Sequence, residues 1–280
     1  MKGKKIVSTL LALLLLASLP VSALAAEWDI SKGDITVNAG SGGQTVTQGS
    51  QVDVPDSAPV ITGSSTENTL TINAEKDQTA NVTLSDVNID VSSEGKAAVT
   101  TTGEGNVSIE LNGDNTLKSG EKHAGLEKNN GGRLTIADQD KNGKLTAEGG
   151  LNGAGIGGGN QRDGSNIIIT GGEIKATGGD YGAGIGGGLQ GKGKDITVSG
   201  AAKLKVQGGV EDDVDGAGAG IGDGGSRSES INDASPIPGA EVAPDISGLT
   251  TGRIEYYAPG ADMEKDKPTS TTGRRADRHR

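Results

Sequence analysis

The 280-residue chain has a net charge of −11, no cysteine, no phenylalanine, one tryptophan and three tyrosines. The acid excess argues against nucleic acid as a partner, whose phosphates demand a basic face. The missing cysteines exclude disulfides, thiol nucleophiles and zinc–thiolate sites. With 49 glycines the patterning of Ile, Val, Leu and Ala must carry the fold.

The chain opens with Lys2, Lys4 and Lys5, an apolar run from Ile6 to Leu19, and Ala23-Leu24-Ala25. A basic start, a short apolar core and a small-x-small end mark an export signal. The run is shorter than the ~18 residues of a membrane-spanning helix. Residues 1–25 are therefore expected to be a signal peptide, and the protein to be secreted or held at a cell surface without a transmembrane segment. Residues 26–62 follow as an irregular opening unit. Alternation at Ile35/Val37 and Val52/Val54 between Gly, Asn and Asp turns predicts short strands. This unit, with Trp28, is expected to cap an end that would otherwise expose core and strand edges.

From 63 to 225 the chain repeats. GAGIGGG stands at 153–159 and 182–188, and GAGIGDGG at 218–225, so Ile156, Ile185 and Ile221 lie 29 and 36 residues apart. A degenerate copy, HAGLEKNNGG at 123–132, puts Leu126 where the Ile should be. Periods of ~20–50 residues signal stacked repeats. Within each unit apolar residues alternate three times. The first strand has Val82/Leu84, Val107/Ile109, Leu134/Ile136, Ile167/Ile169 and Ile196/Val198. The second has Val87/Ile89, Leu117, Leu145/Ala147, Ile174/Ala176 and Leu204/Val206. The third is the Gly-Ala-Gly-Ile stretch. Period-2 alternation gives three short strands per unit. The predicted fold is all-β, a right-handed parallel β-helix with three short strands per coil.

Residues 226–280 break the pattern. The proline-bearing 226–245 reads as a linker or covering strap, and Ile254 to Tyr257 as one last strand whose tyrosines cover the open end. The polar tail from Lys265 is expected to be disordered.

Asp138, Asp140 and Asn142, two apart and followed by Gly143, match the opening half of a calcium loop. The closing glutamate is missing, and the same residues read as an Asn-Gly turn joining two strands. A second acidic group, Asp212, Asp213 and Asp215, fills the insertion of the longest repeat; it reads as a cation site or a solvated loop. On the outward face of the second strand Lys118, Thr146, Lys175 and Lys205 are expected to stack as a column. Such a column would track the carboxylates of a polyuronate or simply discourage aggregation. The corner glycines are read mainly as supplying φ > 0 and tight turns, and secondarily as allowing close backbone approach. With only His123 and His279 no nucleophile relay is visible, and a non-enzymatic role is expected.

The GAGIGGG copies, with their LTIADQDKNGKLTAEGG and ITGGEIKATGGDYGAGIGGG surroundings, resemble secreted bacterial carbohydrate-binding domain proteins. That group includes the polygalacturonate-binding β-helix family and repeat-bearing surface proteins of Gram-positive bacteria. The resemblance covers about 30–225 and implies calcium at coil corners and an acidic plant polysaccharide as partner. Calcium would fall to Asp138, Asp140 and Asn142, then to Asp212, Asp213 and Asp215. The scarcity of aromatic rings departs from neutral-sugar platforms and points to a charged glycan. Two other readings stand beside this one: an adhesive or structural surface scaffold, and a polysaccharide lyase with Lys175 or Arg162 as base.

Overall fold

The structure, a computed structural model, describes residues 25–210, 216–227 and 236–273. The expected signal peptide up to residue 24, the acidic residues Asp212, Asp213 and Asp215, and the basic end at 274–280 lie outside the described residues. The chain winds as a parallel β-helix of about six turns, each turn crossing three sheets in the same order.

The first sheet holds Thr79–Ser85, Asn106–Asn112, Leu134–Ala137, Gly164–Ile169 and Gly193–Val198. The second holds Asn88–Asp90, Asp114–Lys118, Lys144–Glu148, Glu173–Thr177 and Lys203–Gln207. The third holds Leu70–Ala74, Val99–Gly103, Leu126–Lys128, Ile156–Gly157, Ile185–Gly186 and Ile221–Gly222. Because every strand pairs in parallel with its equivalent one coil away, like residues stack. Val107, Leu134, Ile167 and Ile196 form one inner ladder, and Leu126, Ile156, Ile185 and Ile221 another. All eight are buried. Burial of such ladders is the main driving force available to a chain this poor in aromatic residues.

In the later coils the third strand shrinks to two residues. The cause is local: Gly157, Gly186 and Gly222 have φ of 137°, 139° and 143°, which a residue with a Cβ rarely adopts, and the chain leaves the ladder there. Among the described residues no helix is long and apolar enough to cross a membrane.

Both ends are covered. Glu27–Asp29 starts the first sheet against Val60–Thr62, and Ile35–Gly40 starts the third against Leu70–Ala74. Two antiparallel turns of chain, Gly43–Gln48 and Gln51–Pro55, then extend the third sheet outward. Trp28 is buried. In the outermost strand Val54 packs against the core, whereas Val52 is 64% exposed, because the register shifts between the two at Asp53, whose φ is 51°.

At the far end, residues 236–249 cross the last coil, with bridges from Asp245 to Thr197, Leu249 to Gly200 and Glu241 to Gly222. Arg253–Tyr256 then adds a parallel strand to the second sheet beside Lys203–Gln207, and Ser270–Gly273 closes it antiparallel. Lys265 does not begin a disordered tail: Ser270–Gly273 pairs residue for residue with Arg253–Tyr256, since that strand leaves a free edge to satisfy.

Candidate ligand-binding face

The second sheet presents three outward rows. Asp114, Lys144, Glu173, Lys203 and Arg253 form the first. Thr116, Thr146, Lys175, Lys205 and Glu255 form the middle one. Asp90, Lys118, Glu148, Thr177 and Gln207 form the third. The expected column is thus corrected. Thr146, Lys175 and Lys205 do stack, but Lys118 stands one row over, beside Glu148, with its Nζ 2.9 Å from a Glu148 oxygen. That hydrogen bond, against the opposing effect of burial, raises the Lys118 pKa.

The slip has a physical origin. Asn115 occupies the inward position opposite Leu145 and is buried, where its side chain accepts from Val87 N at 3.0 Å and donates to Lys144 O at 3.1 Å. A polar residue in a core position leaves Leu117 as the strand's only apolar mark, and Leu117 aligns with Ala147 rather than Leu145.

A groove of about 420 Å³ runs along this face, and Lys144, Lys175, Lys203, Lys205 and Arg253 all line it. Three carboxylates, Glu173, Glu255 and Glu264, line it as well, so the groove carries a local excess of positive charge in an acidic protein. Lys144 bonds Asp114 at 2.9 Å and Lys203 bonds Glu173 at 2.8 Å. The Lys203 hydrogen bond holds the Glu173 carboxyl below its ordinary value.

Lys175 and Lys205 are arranged differently, for both turn to one carboxylate from the C-terminal segment. Glu264 Oε2 lies 2.9 Å from Lys205 Nζ, and Oε1 lies 4.0 Å from Lys175 Nζ. Lys205 also donates to Met263 O at 3.0 Å. Burial pulls the Lys205 pKa down, but the hydrogen bond and charge of Glu264 outweigh it and leave the amine raised. Reciprocally, the Lys205 hydrogen bond lowers the Glu264 carboxyl, with the charges of Lys205 and Lys175 adding and burial opposing. The sequence reading missed Lys144, Lys203, Arg253 and Glu264. Aligning RIEY at 253–256 with KLKV at 203–206 would have brought Arg253 into the set.

The Asp138 loop is closed on itself. Asp138 Oδ1 accepts from the amides of Asn142 and Gly143, each at 3.1 Å, and Asn142 Nδ2 donates to Asn112 Oδ1 at 3.0 Å. Asp140 is exposed. Among the described residues no group of three or more His, Cys, Asp or Glu side chains could hold a metal ion. As arranged, this loop is a turn held by its own carboxylate.

A polar corner was also missed. In the degenerate copy, Glu127 is buried. Its Oε2 lies 2.8 Å from His123 Nδ1 and accepts from Ala124 N at 3.1 Å, while Oε1 accepts from Asn129 Nδ2 at 2.6 Å. Next to it Lys128 is buried with its Nζ donating to Asn130 O at 2.8 Å, and burial lowers its pKa. The departure of LEKNN from IGGGN was the available signal.

No protein-family model, curated protein or solved structure matches the chain. The functional reading therefore rests on the site itself.

Proposed function

We propose that the protein is a non-catalytic binding module for an acidic polysaccharide, a polyuronate, which lies along the groove of the second sheet with its carboxylates on Lys175 and Lys205. One observation carries the reading: a carboxylate of the protein's own chain, Glu264, is already seated between those two amines. Lys144, Lys203 and Arg253 stand in the adjoining row, so a polymer with regularly spaced carboxylates would meet further cations beside the seat. Ammonium groups on a flat face suit point-charge recognition of such a polymer, and the absence of aromatic platforms in the groove disfavours a neutral glycan.

The test is calorimetric titration of the protein with polygalacturonate, with calcium and again with chelator. Binding that falls at least tenfold in Lys175→Ala/Lys205→Ala, and weakens with salt as exposed charge contacts do, supports the groove. Loss of binding in chelator, and in Asp138→Ala/Asp140→Ala, would support the expected calcium dependence. No heat under any condition, with the circular dichroism of a folded β-protein, leaves the surface-scaffold reading instead.

A further inference from the structure

Asp56 is a carboxylate 1% exposed. Its Oδ2 accepts from Trp28 Nε1 at 2.9 Å and from the backbone nitrogen of Ala26 at 3.0 Å, and its Oδ1 from Ala58 N at 3.1 Å. These donors are all neutral in the uncut chain, and among the described residues no basic side chain pairs with it. A buried ionised carboxylate without a cation is costly. Ala26 is held from both sides, because its carbonyl also accepts from Val60 N at 2.9 Å.

We infer that the chain is cut between Ala25 and Ala26 and that the amine released there is the counter-ion of Asp56. The inference rests on the export signal expected from the sequence and is independent of the glycan reading. A leader peptidase supplies the reaction, with water as co-reactant. The amide C–N bond breaks, the water oxygen goes to the Ala25 carbonyl carbon, one water proton goes to the leaving nitrogen to make the amine, and the proton of the resulting acid then passes to that amine. Ala25 is left a carboxylate and Ala26 an ammonium, on the very atom that lies 3.0 Å from Asp56 Oδ2. A free α-amine ordinarily titrates near ~7.7–8.0, and an adjacent carboxylate raises that value. The structure also discriminates between neighbouring cuts. Cleavage after Ala26 would remove both the donor to Asp56 and the acceptor of Val60; cleavage after Leu24 would leave Ala26 a neutral amide.

Expression of the full chain in an exporting bacterium, followed by intact mass and N-terminal sequencing, tests the position. Ala26 is expected as first residue, and any other first residue overturns the proposal. Acetylation of the α-amine at pH 7 tests the pairing. In the folded protein it should run about tenfold slower than in urea, the effect of a pKa raised by one unit, and Asp56→Asn should restore the rapid reaction. An amine that reacts equally fast folded and in urea overturns the pairing. Should Asp56→Asn fail to fold, the comparison of folded and urea-unfolded wild type decides alone.

Discussion

The amide of Ala154 donates to the carbonyl of Gly158, that of Ala183 to Gly187 and that of Ala219 to Asp223, at 2.9–3.0 Å. In the degenerate corner the Ala124 amide turns to the Glu127 carboxylate instead, so a side chain does there what backbone does in the other three. Glu127→Ala leaves a buried amide unsatisfied and is expected to cost about 1–3 kcal/mol. Glu127→Gln, which keeps an acceptor, should cost less; urea unfolding of the two variants checks the order. The corner glycines obey a related constraint. Gly182 and Gly218 have no positive φ, yet a Cβ on Gly182 would overlap the carbonyl oxygen of Gly153, and one on Gly218 that of Gly182. Gly182→Ala is expected to destabilise by about 1–3 kcal/mol, the range for overpacking. Gly95, with open space around its Cβ direction, should accept Ala within about 0.5 kcal/mol; equal effects would discard the close-approach explanation. The glycines were legible as a repeat, but their main reason was not. Left-handed conformation is a property of one residue, whereas coil-to-coil approach depends on a neighbour about 30 positions away.

At the scale of elements, the segment carrying Met263 and Glu264 lies across the very lysines that the proposal assigns to a ligand. Met263 is buried and its carbonyl accepts from Lys205, so the segment is held by this hydrogen bond as well as by the Glu264 charge. Glu264→Gln removes the internal carboxylate while keeping its shape, and should tighten polygalacturonate binding by up to about fivefold, the worth of an exposed ion pair; unchanged or weaker binding would mean that Glu264 does not occupy the ligand's place. The sign with pH follows from the depressed Glu264 carboxyl. Its contribution to docking is complete above the ordinary value of 4.5 and is lost as pH falls through the lowered one. On the other side Lys205, raised from 10.5, loses its contribution only as pH climbs past that value. The segment should therefore be equally protected from hydrogen exchange between about pH 5 and 10, after correction for intrinsic rate, and open in acid, by less than about 1 kcal/mol because the pair is exposed. Sequence alternation found the sheet that carries this site and two of its lysines. It misplaced Lys118 because a buried Asn115 interrupts the apolar code, and it missed Glu264 because nothing in a one-dimensional pattern brings residue 264 beside residue 205.

For the whole molecule, a stack of coils is stable only as far as its two ends are closed, since each coil meets only its neighbours. The N-terminal end is closed by Trp28, the Asp56 contacts and the two antiparallel strands; the C-terminal end by residues 236–249 and the Arg253–Tyr256 and Ser270–Gly273 pair. A stop after Thr251 would leave Lys203–Gln207 as a bare parallel edge and uncover Leu204 and Val206, both buried in the intact protein. A strand edge of this kind is a template for another copy. The truncated chain is therefore expected to form larger species with rising concentration, seen by light scattering, while its far-ultraviolet circular dichroism stays that of a β-protein. The lysines on its outer face, of which Glu173 neutralises only Lys203, would slow the association and make it salt-dependent, because like-charged faces repel until screened. Should the truncated chain scatter like the full one at every concentration and salt, the 236–249 strap would suffice as the closure. Arg253–Tyr256 would then serve the groove, supplying Arg253 and Glu255 to the ligand face, rather than the stability of the stack.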